Sequence, residues 1–82
     1  MKNETKYVVF DDGLNKYILT FPAYVTHKEF SESLKELSDG MLYPISGGFI
    51  ENGECVGESI SLNLKSRDEK DTLLLKDLVK KE

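Results

Sequence analysis

The chain has one cysteine, one histidine and no tryptophan, and these scarcities exclude several classes of protein. Cys55 has no second cysteine with which to form an internal disulfide, and Cys55 with His27 cannot supply the four ligands of a structural zinc site. No apolar run approaches the roughly 20 residues of a membrane-spanning helix. Residues 2–6 are polar, no apolar stretch follows them, and residues 1–6 are unlike a secretory signal. We therefore expect a cytoplasmic protein with no membrane association, no metal site and no cofactor.

Positive charge is scarcer than negative charge. The 11 Lys and Arg residues stand against 15 Asp and Glu residues, which gives a net charge of −4. This charge opposes binding to a phosphate backbone, so nucleic acid is not an expected partner. Hydrophobic residues make up 39% of the 82 residues, which is enough for one folded domain spanning 1–82.

Two pairs of β-branched and aromatic runs predict two β-hairpins. The runs 7–10 and 17–21 flank an Asp-Gly turn signal, and the runs 42–51 and 54–64 flank an Asn-Gly pair, which favours a type I′ turn. Apolar and small polar residues alternate in the last run, which predicts one strand with one face on a core. Its predicted inward residues are Val56, Ile60, Leu62 and Leu64.

Each hairpin is followed by the spacing of a capping box, in which Ser or Thr and a Glu three residues later cap a helix. Thr26 with Glu29 predicts the start of one helix, and Ser66 with Glu69 predicts the start of another. Gly40 is expected at the C′ position that ends the first helix. The predicted apolar stripes are Phe30, Leu34 and Leu37 in the first helix, and Leu74, Leu75, Leu78 and Val79 in the second.

The order of elements predicts an α+β domain of ββαββα type. The turn glycines Gly13 and Gly53 are separated by the same number of residues as the predicted N-caps Thr26 and Ser66. This equal spacing favours two ββα repeats, 5–40 and 42–82. The expected architecture is a four-stranded, mostly antiparallel sheet with both helices on one face. Such a sheet leaves one face and two edges uncovered, and a homodimer is the expected way to bury them.

No recognisable catalytic set is present. His27 lies in the first turn of a predicted helix, where a solvated side chain is expected, and no partner for it is evident. Glu54 next to Cys55 is expected to raise the pKa of the thiol, which favours a role as an apolar filler. The acidic pairs lie in hairpin turns. We therefore predict a non-enzymatic protein with no catalytic residues.

Candidate binding residues are concentrated in the second half of the chain. The run 46–48 is glycine-rich, and it predicts either a β-bulge or the close approach of a ligand. Lys65 and Arg67 lie beside the N terminus of the predicted second helix, where free N–H groups favour an anion. Asp68 opposes an anion there, and Ser66 is also required for capping. The candidate set is Ser46, Gly47, Gly48, Ser59, Ser61, Asn63, Lys65, Ser66, Arg67 and Tyr43.

Three short segments resemble a set of small uncharacterised accessory proteins of tailed bacteriophages. The segments are 46–49, 57–62 and 65–67, the last followed by acidic residues. The resemblance covers roughly the second half of the chain, and it implies a protein that acts in the cytoplasm of an infected bacterium. It provides no catalytic residues. Non-enzymatic proteins of this setting bind a host protein or sequester a small molecule.

Three functions are compatible with these patterns. The leading hypothesis is a module that binds and modulates a host protein through an outward sheet face or an open edge of the first or third strand. The tyrosines at 7, 17, 24 and 43 cannot all be core residues, and exposed tyrosines are common interface anchors. The alternative is an oligomeric binder of a nucleotide-like signal, with a tyrosine stacked on its base. The residues expected around its phosphate are Ser59, Ser61, Lys65, Ser66 and Arg67. The third is an enzyme, which requires His27 or carboxylates in one cleft.

Overall fold

The computed structural model describes residues 5–80, which form three β-hairpins and two helices. The elements are β1 (Thr5–Asp11), β2 (Lys16–Pro22), α1 (His27–Leu37), β3 (Tyr43–Glu51), β4 (Glu54–Val56), β5 (Glu58–Ser59), β6 (Leu64–Lys65) and α2 (Asp68–Lys80). The predicted α+β class and the four-stranded antiparallel sheet are confirmed. Within residues 5–80, no helix is long and apolar enough to span a membrane.

The sheet has the strand order β2-β1-β3-β4, so β1 and β3 are internal strands. All residues from Tyr7 to Phe10 are completely buried, because β1 is covered by a strand on each side and by side chains on each face. The prediction that the first or third strand forms an open edge is therefore wrong. The edges of this sheet are β2 and β4.

The two helices cover opposite faces of the sheet. Tyr7 and Val9 pack with Leu74 and Leu75 of α2, whereas the alternate residues of β1 pack with the α1 side chains. The second cluster contains Val8, Phe10, Phe21, Phe30 and Leu34. The predicted placement of both helices on one face is wrong, because neighbouring strand residues point to opposite faces and every residue from 7 to 10 needs apolar cover.

The strand predicted over 54–64 is interrupted. β4 ends at Val56, because Gly57 has a φ of +80° and turns the chain out of the ladder. The chain then forms a small antiparallel sheet of β5 and β6 around a turn over 60–63. Ile60, a predicted core residue, is 87% exposed in that turn, whereas Leu62 packs on the α1 side of the sheet. The alternating apolar and polar residues over 60–63 therefore form a turn and not a strand.

Local signals determined the hairpin turn and the start of α1 correctly. Asn52 has a φ of +53° and Gly53 one of +79°, as a type I′ turn requires. At the start of α1, Glu29 N donates to Thr26 Oγ1 over 3.0 Å, and Thr26 N donates back to Glu29 Oε1 over 3.4 Å. The predicted capping box is thus present.

The end of α1 differs from the prediction by one residue. Ser38 is the C-cap, and Asp39 at C′ has a φ of +58°, so Asp39 takes the position expected for Gly40. An aspartate tolerates this left-handed conformation better than most residues do. Leu37 lies in the last turn and is 83% exposed, so the apolar stripe of α1 ends at Leu34.

Candidate functional site

The candidate residues from the sequence do not share one surface. Four of them are buried, namely Ser46, Gly47 and Gly48 in β3 and Ser59 in β5. Four others are exposed, namely Tyr43, Ser61, Asn63 and Lys65. Ser66 and Arg67 are partly buried and belong to a hydrogen-bonded network with α2. The set therefore divides into interior packing residues, scattered surface residues and two members of this network.

The space beside the two glycines of β3, Gly47 and Gly48, is filled by neighbouring backbone and side-chain atoms. A Cβ on Gly48 would overlap the carbonyl oxygen of Val56, and one on Gly47 would lie 3.3 Å from the carbonyl oxygen of Tyr7. The pairing with β1 shifts register nearby, between Val9 and Phe10, as a bulge does. Of the two interpretations of 46–48, close strand packing with a bulge is the one that this geometry supports.

Asp71 is a completely buried carboxylate at the centre of a network that the sequence did not reveal. Its Oδ1 accepts from Arg67 Nη2 over 2.8 Å and from Arg67 Nε over 2.9 Å. Its Oδ2 accepts from Arg67 N over 2.9 Å and from the Tyr7 hydroxyl over 2.7 Å. Two of the three guanidinium nitrogens of Arg67 are thus held by Asp71, whose negative charge offsets the charge that would attract an external anion.

The start of α2 is also stabilised by this network. The helix begins at Asp68, whose N–H donates to Ser66 Oγ over 3.1 Å, while the N–H of Arg67 is taken by Asp71. The predicted capping box of Ser66 and Glu69 is wrong, because the carboxylate that reaches back to the first turn is that of Asp71. The Ser66 and Tyr7 hydroxyls lie 2.6 Å apart and share a hydrogen bond.

The protonation states around Asp71 suit a structural role. Burial by itself raises the pKa of Asp71, but hydrogen bonds from Arg67 and Tyr7 outweigh it, so its pKa lies below the ordinary value. Burial raises the pKa of Tyr7 far above its ordinary value. Burial likewise raises the pKa of Cys55 to about 11. At neutral pH the carboxylate is ionised and the phenol and thiol are protonated, so Cys55 is not an activated nucleophile.

His27 is buried, contrary to the solvated position that we predicted for it. Its ring lies edge-on to Phe21 and Phe49, with centroids 5.2 Å and 5.8 Å away, and Nε2 is 2.9 Å from Gly48 O. Burial lowers its pKa, and the cation of Lys6 lowers it further. The neutral ring therefore fills the core beneath α1. The aromatic run in β2 and the apolar stripe of α1 were the only signals for this contact.

With a helix on each face, the sheet exposes its edges rather than an open face. At the β4 edge, the N–H of Cys55 donates to Thr72 Oγ1 of α2 over 2.9 Å. The β2 edge is longer, with seven residues in Lys16–Pro22, and no strand in residues 5–80 pairs with its outer side. Within residues 5–80, the outer side of β2 is therefore the longer of the two unpaired edges of this sheet.

The hairpin geometry determines which backbone groups of β2 point outward. Asp12 N donates to Asn15 O over 3.2 Å and closes the hairpin as a hydrogen-bonded pair. Bonded and non-bonded pairs alternate along an antiparallel ladder, and the register pairs Tyr17 with Phe10 and Leu19 with Val8. Tyr17 and Leu19 therefore bond to β1. The outward N–H and C=O groups belong to Lys16, Ile18 and Thr20.

Exposed apolar side chains stand at both ends of β2. Leu14 in the preceding turn is 90% exposed, and Tyr24 in the following turn is 87% exposed. Tyr17 is partly exposed, and its hydroxyl donates to Asp12 Oδ2 over 2.9 Å. Tyr7 is the completely buried member of the four tyrosines, so the other three are available at the surface.

A groove of about 450 Å³ lies between β4 and α2. Its walls include Cys55, Thr72 and the exposed Leu73, and its rim carries Glu54 and Asp68. None of the candidate residues from the sequence lines it. Residues 5–80 contain no group of three or more His, Cys, Asp or Glu side chains placed to hold a metal ion.

No protein-family model matches this sequence, and no curated protein or solved structure matches it either. The roles of its residues therefore rest on their own geometry.

Proposed function

We propose that the protein is a small non-enzymatic binding module that binds a partner protein by strand addition at β2. The observation that carries this proposal is the unpaired outer side of β2 in the described sheet. An extended segment that aligns there extends the ladder through main-chain hydrogen bonds, which supply affinity. The outward groups of Lys16, Ile18 and Thr20 are spaced for that ladder.

The side chains around β2 support recognition beyond backbone pairing. Tyr17 and Thr20 are exposed along the strand, and Leu14 and Tyr24 extend beyond its ends. Tyrosine contributes a large, rigid contact area together with a polar tip, and it is common among the residues that dominate binding energy. Together these side chains would select among extended partners.

The interior chemistry supports a non-enzymatic role. Asp71 and Arg67 satisfy each other, His27 is buried between two aromatic rings, and Cys55 carries a protonated thiol. A general base or nucleophile must reach a substrate in a cleft, and these groups are occupied by internal partners. The same pairing of Arg67 gives no support to a nucleotide-like ligand at the start of α2.

The phage-type setting, taken from the resemblance of 46–49, 57–62 and 65–67, makes the proposed partner a host protein in the bacterial cytoplasm. The net charge of −4 favours a protein partner over nucleic acid. Binding that occupies a strand-accepting or strand-donating segment of the host protein would modulate it without any chemical step.

The test compares capture of bacterial proteins by the wild type, Thr20→Pro and Thr20→Val. Proline removes the outward N–H of residue 20 and is tolerated at an exposed edge position, whereas valine keeps the N–H and the β-branched shape. The expected result is a partner that the wild type and Thr20→Val retain and that Thr20→Pro loses. Hydrogen exchange of the purified complex should then show protection over 16–22. A partner that binds all three forms equally would refute strand addition.

A further inference from the structure

We propose that the β2 edge is self-complementary and pairs with β2 of a second copy, in an antiparallel two-fold arrangement centred on Leu19. This inference rests on the proposed strand addition at β2, and it assigns a second copy of the chain as an occupant of that edge in addition to the host protein. The strand is seven residues long, and Leu19 is its central residue. A two-fold axis through that residue pairs the full length of the strand with itself.

The backbone groups of β2 match in this register. Ile18 and Thr20, which both direct their N–H and C=O outward, lie on either side of Leu19. In the two-fold pairing Ile18 faces Thr20 of the second copy, and Thr20 faces its Ile18. Both pairs are hydrogen-bonded pairs, and the two Leu19 residues form the non-hydrogen-bonded pair between them. A centre on Ile18 or Thr20 would also pair outward groups with each other, but it would align only about five of the seven residues of the strand.

The side chains match in the same register. Tyr17 lies opposite Phe21 of the second copy, which makes an aromatic cross-strand pair on the α1 side of the sheet. Leu14 and Tyr24 are equally far from Leu19 along the chain, so the Leu14 turn of one copy meets the Tyr24 turn of the other. These two are among the most exposed apolar side chains of the described chain. Their mutual burial gives the association a hydrophobic contribution.

The charges along β2 do not oppose this pairing. Lys16 is the one charged residue in the strand, and in this register it faces Pro22 of the second copy. Its own Nζ lies 3.5 Å from Asp11 Oδ2, which offsets its charge locally. Like charges are therefore absent from directly opposite positions, where they would be destabilising.

The centre of β2 also lacks the features that keep edges apart. Natural edge strands avoid pairing by means of central lysines, prolines, bulges or very short length. Here Lys16 and Pro22 are confined to the two ends, and Tyr17 to Phe21 form an uninterrupted run of strand-forming residues. The bulge of this sheet is between β1 and β3, away from the β2 edge.

The decisive experiment is oxidative crosslinking of Leu19→Cys. Opposed residues of a non-hydrogen-bonded pair have Cα atoms about 4.5 Å apart, which is within the range for a disulfide. Leu19→Cys should therefore form a covalent dimer under mild oxidation. Lys35→Cys, on the exposed side of α1, should form no covalent dimer, and neither should the wild type, whose Cys55 is buried. Circular dichroism of Leu19→Cys tests whether the fold is retained.

Sedimentation of the unmodified chain gives an independent measurement. The wild type and Thr20→Val should be dimers at about 100 µM, and Thr20→Pro should weaken dimerisation about tenfold or more, because the two-fold axis repeats each lost hydrogen bond. A wild type that stays monomeric at that concentration and gives no Leu19→Cys crosslink overturns self-pairing. Strand addition itself would survive that result if another protein still required the N–H of residue 20. A dimer that Thr20→Pro leaves intact also overturns the proposal, since it would use another surface.

Discussion

The Tyr7 hydroxyl in β1 donates a 2.7 Å hydrogen bond to Oδ2 of Asp71 in α2, which joins the first strand to the last helix. Both residues are completely buried. The same carboxylate holds Arg67, so the helix start, the central strand and the ion pair depend on one side chain. Buried polar groups of this kind contribute most when every partner is satisfied, and loss of one partner is costly.

Removal of the Tyr7 hydroxyl should therefore destabilise the protein. Tyr7→Phe leaves Asp71 and Ser66 each without one partner, and we expect the free energy of unfolding to fall by about 1–3 kcal/mol. Urea denaturation measures this as a lower midpoint with an unchanged slope. Tyr17→Phe is the matched control, because its hydroxyl binds Asp12 at the surface, and its effect should stay within about 0.5 kcal/mol. Equal effects of the two variants would contradict a structural role for the buried network.

The stabilisation due to Asp71 should depend on pH. Its pKa in the folded protein lies below the ordinary value of 3.8, so the carboxylate contributes stability above pH 3.8 and loses it as the pH falls through the folded pKa. The difference in unfolding free energy between the wild type and Asp71→Asn should be constant from neutral pH to about pH 5 and shrink below 3.8. Urea titrations at several pH values measure it. A constant difference for Asp71→Asn across this pH range would refute the assignment.

His27 should titrate below its ordinary pKa of 6.5, because its ring is buried between aromatic side chains. It is the single histidine, so one set of ring signals in an NMR pH titration reports its pKa directly. Since the folded pKa is lowered, the unfolded chain binds the proton more readily, and stability decreases as the pH falls below 6.5. His27→Gln keeps a donor for Gly48 O and should lose this part of the pH dependence. A titration midpoint at or above 6.5 would contradict the buried neutral ring.

Gly48→Ala should be among the most destabilising small substitutions in the chain. The added methyl group would overlap the Val56 carbonyl, and β4 would have to move away from β3. We expect a loss of about 2 kcal/mol or more, comparable to severe overpacking of a core. Gly47→Ala is the matched neighbour, since its Cβ would be close to Tyr7 O at 3.3 Å without overlap. Thermal denaturation should place Gly48→Ala well below Gly47→Ala, and the reverse order would contradict the packing described for this pair.

The elements that the sequence predicted well are those with local causes. The capping box at Thr26 and the type I′ turn at Asn52 each depend on residues within a few positions of one another. The same local reasoning failed at the start of α2. The sequence offers Ser66 and Glu69 with the spacing of a capping box, but the carboxylate that accepts from the N–H of Arg67 belongs to Asp71. It failed again over 54–64, where the alternating pattern predicted one strand. The positive φ of Gly57 ends that strand at Val56.

The amino-acid sequence by itself determined the class of the fold, the hairpin-helix order and the absence of a recognisable catalytic motif, because propensities, turn residues and caps act over short distances. Only the tertiary structure decided which strands are edges, that α1 and α2 lie on opposite faces, and that Arg67 is held by Asp71. The physical reason is that strand order and burial arise from contacts between residues far apart in the chain, such as Tyr7 and Asp71. Periodicity reports that a face is apolar, and it does not identify the element that covers that face.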